Sequence, residues 1–290
     1  ADFGFTDPND TPANNLYRVK ITTLPAAGAL TIGGVPVSAG DFHGIASGAA
    51  APAGATWTSQ AGSGVRDWVT LASSASGSKL LAGAWGDYLY TSTDAGVTWT
   101  ARLTDTARSF YSVASSADGT KLVAGTRYDY LFTSTDSGAT WTARESKRYW
   151  RVVASSADGT MLVAGDGDPG YLYTSTDSGV TWTQRTSAGR REWIGLASST
   201  DGTKLVAASR GTGLAGDPGD KIYTSADAGV TWTAHESVRS WIGVASSADG
   251  TKLAAAAVNG KIYTSADSGA TWTARESNRV WLGIASSADG

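Results

Sequence analysis

From residue 68 onward, short apolar runs alternate with clusters of Gly, Asp, Ser and Thr, and the alternation recurs. The stretch from Trp241 to Thr273 shows one unit. Trp241-Ile242-Gly243-Val244-Ala245-Ser246-Ser247 leads into Ala248-Asp249-Gly250-Thr251, where Asp-Gly is a strong turn signal. Lys252 to Ala257 is a second apolar run, and Asn259-Gly260 turns the chain again. Lys261 to Ser265 is a third run, Asp267-Ser268-Gly269 a third turn, and Trp272 to Arg275 a fourth run. Runs this short, bounded by turn residues, predict strands. No segment carries the 3.6-residue spacing of an amphipathic helix, which excludes helical repeats.

The unit repeats. Trp99, Trp141, Trp182, Trp232 and Trp272 follow one another at intervals of 42, 41, 50 and 40, and Trp57 precedes them by 42. A second aromatic series, Trp68, Phe110, Trp150, Trp193, Trp241 and Trp281, opens each first run. Four short strands per period of about 40 residues match one blade of a β-propeller. Complete blades are expected at 68–100, 110–142, 150–183, 193–233 and 241–273, with partial strands at both ends, all within an array spanning 44–290. The expected fold is all-β, a propeller of four-stranded blades. Six blades are expected if Trp281 to Ser287 joins Thr56 to Ser59 in a composite blade, with strands from Ala29 to Ser38 filling the gap. The rivals are a longer native array and pairing of the open edge with a neighbouring subunit.

The third turn has the pattern Ser-x-Asp-x-Gly-x-Thr-Trp, in five copies beginning at Ser92, Ser134, Ser175, Ser225 and Ser265. This pattern resembles the Asp-box of sialidases and related BNR-repeat propellers, and the resemblance covers residues 68 to 290. The residues themselves read as structural. Asp94, Asp136, Asp177, Asp227 and Asp267 are suited to accept backbone N–H bonds within the turn. The Gly two positions later suits positive φ, and the Trp is expected to pack under the turn.

Residues 1–43 do not follow the repeat. They resemble part of the cadherin-like or Ig-like modules of large bacterial adhesins, with Leu16 to Thr23 and Ala29 to Gly33 read as a hairpin. Asp7, Asn9 and Asp10 gather hard oxygen donors, a candidate calcium site set against an Asx-type turn around Pro8.

Composition narrows the functional classes. A net charge of −3 with 17% charged residues gives no basic surplus, so nucleic acid is not expected as a partner. Twelve Trp, 11 Tyr and 5 Phe are enough aromatic surface for a substantial core. Cysteine is absent, which removes disulfides and thiolate metal sites. No apolar run approaches the roughly 18 residues of a membrane-spanning helix. The chain starts with Ala and stops inside a repeat, so both ends are expected to be cut from a longer protein.

Catalytic signatures are thin. The Asp-box resemblance raises a sialidase-like glycoside hydrolase, whose site implies an Arg cluster, a Tyr nucleophile with a Glu partner, and an acid. Such residues should appear as departures from the repeat, yet the blades read as nearly interchangeable. Glu145, Glu236 and Glu276 share one repeated position, and Glu192 alone stands outside it. The Arg-Ile-Pro type motif that the resemblance implies is absent. The only histidines are His43 and His235, too few for a His-based metal site. The acidic insertions Asp166 to Gly170 and Gly216 to Asp220 read as solvated loops or calcium loops. No cofactor or metal and no enzymatic activity are expected.

One recurring feature is a candidate for binding. An Arg stands two residues before each aromatic of the second series: Arg66, Arg108, Arg148, Arg191, Arg239 and Arg279. Beside Trp68, Trp150, Trp193, Trp241 and Trp281 they are expected to ring one face and to suit carboxylates, sulfates or sugar faces. The competing reading is an interblade salt bridge to Asp105, Glu145, Glu236 or Glu276, each three residues ahead of its Arg. The chain is therefore expected to be a module for adhesion, scaffolding or ligand display in a large bacterial surface or secreted protein. Its expected partners are a carbohydrate or cell-surface polymer, or neighbouring subunits. The alternative is a lectin-like propeller using the Arg and aromatic ring.

Overall fold

The computed structural model describes residues 61–210 and 219–290, in which eighteen strands follow one 3-10 turn, Ala61–Ser63. The N-terminal module, its calcium candidates Asp7, Asn9 and Asp10, and the strand expected around Trp57 lie outside the described residues.

The first sheet runs in sequence order through β1 (Trp68–Ser73), β2 (Leu80–Ala84), β3 (Leu89–Ser92) and β4 (Thr100–Arg102). The second has six strands: β5 (Phe110–Ser115), β6 (Leu122–Ser134), β7 (Thr142–Ser155), β8 (Leu162–Asp166), β9 (Leu172–Ser175) and β10 (Thr183–Arg185). The third holds β11 (Trp193–Ser198), β12 (Leu205–Ser209), β13 (Asp220–Ser225) and β14 (Thr233–Arg239). The fourth holds β15 (Trp241–Ser246), β16 (Leu253–Ala257), β17 (Gly260–Ser265) and β18 (Thr273–Arg279). The pairings are antiparallel throughout, as hairpin connections require.

The expectation of six blades is corrected: the described strands form four sheets. Two causes are visible. Sequence units 110–142 and 150–183 fuse into one sheet because β7 runs unbroken from the last strand of one unit into the first strand of the next. Within it, Arg148 pairs with Asp129 on one side and Trp150 with Asp166 on the other. At the C-terminal end, Trp281 to Ser287 forms no strand. Every first strand pairs with the second strand of its own unit, as β15 does with β16. Residues 281–290 bring no such partner, and the composite blade does not form among the described residues.

The core lies between successive units. Trp193, with no exposed surface, packs against Val152, Val163 and Leu172 before it and Leu205, Ala207 and Tyr223 of its own unit. Phe110, Trp150 and Trp241 occupy the same place at the other junctions. The preceding unit must leave room for each ring. A Cβ on Gly165 would stand 2.7 Å from that of Trp193, and one on Gly83 2.8 Å from that of Phe110.

Hydrogen bonds also tie unit to unit. The Ala75 N–H donates to the Ala117 carbonyl at 2.7 Å, and Ala117 to Ala157 at 2.7 Å. The series continues from Ala157 to Thr200, Thr200 to Ala248 and Ala248 to Ala288. Ala75, Ala117, Ala157, Thr200 and Ala248 each sit in the turn between the first and second strands of their unit, and Ala288 takes the same place beyond the last sheet. These bonds satisfy turn amides that a single unit would leave open.

Candidate functional site

Each repeat has two ends of opposite character. At one end sits the Ser-x-Asp turn. The Ser134 hydroxyl donates to Asp136 Oδ1 at 2.8 Å and accepts the Gly138 N–H at 2.9 Å. Asp136 accepts the Thr140 N–H at 2.9 Å, and the Trp141 indole N–H donates to the Gly138 carbonyl at 3.0 Å. The turns around Asp94, Asp177, Asp227 and Asp267 repeat this arrangement. The Thr140 hydroxyl, the Thr140 amide and the Ser134 hydroxyl hold the Asp136 carboxyl down at about 2. Its oxygens are spent on closing the turn. Positive φ at Ser137 (59°) and Gly138 (83°) completes it, and a Cβ on Gly138 would meet Thr91 of the preceding unit at 2.7 Å.

At the other end the chain passes from one unit into the next, and here stand the Arg residues singled out in the sequence. Arg66 Nε donates to Asp87 at 3.0 Å and its guanidinium lies 4.3 Å from the Tyr90 ring. Arg108 binds Asp129 at 3.0 Å and Asp105 at 2.8 Å and covers Phe132. Arg191 binds Asp220 at 2.9 Å over Tyr223, Arg148 lies 3.7 Å from Asp166 over Tyr173, and Arg239 covers Tyr263. Arg279 is exposed and donates to Ser277. The main carboxylate partner is thus the Asp in the hairpin between the second and third strands. Of the acids expected three residues ahead, Asp105 pairs with its Arg, whereas no ion pair joins Arg148 to Glu145 or Arg279 to Glu276 among the described residues.

The aromatic series beside these Arg is largely withdrawn from solvent. Trp150, Trp193 and Trp241 have no exposed surface, Trp68 and Trp281 are half-buried, and four of the rings meet a Tyr edge-on within their own unit. Their indole N–H groups donate to backbone carbonyls, as Trp193 does to Gly170 at 3.2 Å and Trp281 to Gly260 at 2.9 Å.

Where the units differ from one another, a second set of side chains gathers on this same end. The residue just past the stretch that pairs with each first strand is fixed by an identical backbone bond. Trp85 N–H donates to Asp67 O, Arg127 to Ser109, Gly167 to Tyr149, Arg210 to Glu192 and Val258 to Ser240. That constant backbone carries variable side chains. Trp85 meets Tyr111 at 4.9 Å, Tyr111 meets Tyr149 at 4.8 Å, and Tyr149 meets Tyr128 at 5.7 Å. Arg127 lies within 5.1–5.7 Å of the Trp85, Tyr128 and Tyr149 rings. Arg151 flanks Tyr149 and shares Glu192 with Arg210. Trp85 is 41% and Tyr128 55% exposed, so the rings form a surface rather than a core. Burial and the neighbouring Tyr111 push the Tyr149 phenol well above its usual range, so this ring is neutral at ordinary pH.

Sequence reasoning missed this cluster by seeking one residue type repeated in every unit. The available signal was the opposite one: Tyr111 and Arg151 stand where other units carry Val69, Ile194 and Ile242, and Trp85 and Arg127 stand where the last carries Val258. The neighbouring cavity, about 410 Å³ in volume, is lined in part by Asp105, Arg108, Asp129, Tyr130, Trp141 and Lys147. Its charges are matched internally, with Lys147 3.1 Å from Asp129. Among the described residues no cluster of side chains is suited to hold a metal ion.

No family model matches the chain, and no curated protein does. Solved structures do. An ancestral GH74 enzyme is similar with a TM-score of 0.58 and 18% identity over 74% of this chain and 32% of its own. The GH74 xyloglucanase from Xanthomonas campestris gives 0.56 and 16% over 72% of this chain and 38% of its own. A structure of the nidogen–laminin complex gives 0.52 and 14% over 69% and 75%. This chain therefore has a β-propeller fold, and it spans about a third of the length of the GH74 structures. The expectation that the chain is not an enzyme is corrected by these neighbours. Glycoside hydrolases use the same fold, so the fold offers no argument against catalysis.

Proposed function

We propose that this propeller is a carbohydrate-binding module and that the cluster of Trp85, Tyr111, Tyr128 and Tyr149 with Arg127 is its binding face. The observation that carries this reading is exposed aromatic surface held rigidly in place. The rings brace one another edge to face, and the backbone beneath Trp85 and Arg127 is fixed by the bonds that recur in every unit. A sugar ring presents apolar C–H faces that stack on such rings, while its hydroxyls reach Arg151, Glu192 and Arg210 at the margin. Rigid aromatic side chains lose little conformational entropy on binding. We place this role in adhesion or ligand display outside the cell. Support for that setting comes from the resemblance of residues 1–43 to adhesin modules.

The test is electrophoresis of the folded chain through gels containing soluble polysaccharides. Retardation is expected in at least one gel, lost in a Trp85→Ala, Tyr111→Ala double variant and kept in Ile242→Ala, on the aliphatic part of the same end. Absence of retardation in every gel, or a double variant retarded like the parent, would overturn the reading. Assay of reducing ends released during incubation with the same polysaccharides shows whether binding is coupled to hydrolysis.

A further inference from the structure

Arg127 lies against three aromatic rings, whereas most guanidiniums at this end of the repeats meet a carboxylate. Arg66, Arg108, Arg148 and Arg191 each face a carboxylate, and Arg151 and Arg210 share Glu192. Arg127 forms no ion pair with a carboxylate among the described residues and is exposed. Its position is nevertheless set by the Trp85, Tyr128 and Tyr149 rings, at 5.5, 5.1 and 5.7 Å. Stacking on aromatic rings holds a guanidinium without cancelling its charge. The N–H donors on its edge point along the plane, and those that do not face the Tyr128 hydroxyl suit a planar or tetrahedral oxyanion. The backbone beneath is also constrained: Arg127 N–H is bonded to Ser109 O, and Tyr128 turns the chain with φ of 60°. An exposed Arg on a long side chain usually loses much rotamer freedom on binding an anion. Three rings have already restricted this one.

We infer that Arg127 is the anchor for an acidic group on the sugar, so that the ligand is a glycan bearing carboxylate or sulfate groups. This inference rests on the carbohydrate reading above and narrows it. The sugar ring lies on the Tyr and Trp rings, and its oxyanion takes two N–H donors from the guanidinium edge. Selectivity then comes from charge at one point, in a protein whose overall charge of −3 would disfavour polyanions without such a site.

Matched pairs of ligands test it. Oligogalacturonate is compared with its methyl ester, and dextran sulfate with unmodified dextran, by titration calorimetry at two salt concentrations. The first pair reports on carboxylate, the second on sulfate. The acidic member of at least one pair should bind roughly tenfold or more tightly than its neutral partner, and the advantage should shrink with salt. Arg127→Gln should bring the acidic ligand down to the level of the neutral one, and Arg127→Lys should restore part of the difference. Both variants change an exposed side chain, so folding can be checked by thermal unfolding. Equal binding of acidic and neutral ligands, or an Arg127→Gln variant that keeps the difference, would overturn this inference and leave the carbohydrate reading in place. Binding of none of the four would also overturn this inference, and the carbohydrate reading would then stand or fall on the gel-retardation test above.

Discussion

The two ends of the repeat unit meet different physical demands. At the Ser-x-Asp end, five turns share the same hydrogen bonds and the same positive φ, whichever unit they belong to. At the connecting end, the backbone bonds also recur, but the side chains above them do not. The first three units contribute aromatic rings and guanidiniums there, whereas the last carries Ile242, Val258 and, beyond it, Leu282. The constant end closes a turn and abuts the preceding unit, so a change there disturbs packing. The variable end is supported from below by strands and main-chain bonds, so its side chains can change at little structural cost. Chemistry of this kind is carried by sites grafted on the fold.

Replacing a buried ring and an exposed one should separate these demands most sharply. Trp193→Ala removes an indole with no exposed surface from between two units and should cost about 3–5 kcal/mol. Trp85→Ala, at the binding face, should change stability by no more than about 0.5 kcal/mol while abolishing polysaccharide retardation. Chemical denaturation measures the first quantity and gel mobility the second. A Trp85→Ala variant that unfolds as readily as Trp193→Ala would show that the exposed cluster is structural.

Much of the repeat was legible because Asp-Gly turns and paired aromatics mark strand ends locally. The strand from Lys261 to Ser265 and the turn around Asp267 can be read from contiguous residues. Asp105 beside Arg108 can be read in the same way, but the partner that most of these Arg share could not, because it lies across a hairpin. Arg66 meets Asp87, and Arg108 meets Asp129, 21 residues further on in each case. Acids only three residues away looked more plausible in sequence. The strand predicted at Trp281 to Ser287 failed for a related reason. Its composition matches the other first strands, but a strand needs a partner in register, and composition carries no information about that. The aromatic face was hidden by the method that revealed the repeat, since averaging over units discards their differences.

A smaller effect is expected from the constant end. Asp136→Ala removes the acceptor of the Thr140 N–H and should cost about 0.5–2 kcal/mol, the range for lost caps of this kind. Because the folded carboxyl sits at about 2, below its ordinary value, its contribution is present near neutrality. That contribution fades as the pH falls through the folded value. The parent should therefore lose its advantage over the variant in strong acid. A gap that is unchanged between pH 6 and pH 2 would mean that the ionised carboxylate is not what closes the turn.

Asp166 gives a pH dependence of the opposite sign. It lies at the connecting end, buried beneath Arg148, with Oδ1 lacking a hydrogen-bond partner. Burial pushes its carboxyl up to about 6, and the attraction of Arg148 at 3.7 Å offsets this only in part. An acid whose folded value is raised stabilises the fold below its unfolded value near 4 and loses that contribution as the pH rises through about 6. Asp166→Asn keeps the shape and removes the ionisation. Thermal unfolding should therefore find the variant equal to the parent near pH 4 and more stable than it near pH 8. If the variant is less stable at pH 8, Arg148 and Asp166 form a net stabilising ion pair despite their separation. The third unit would then be held by the same kind of contact as Arg66 with Asp87.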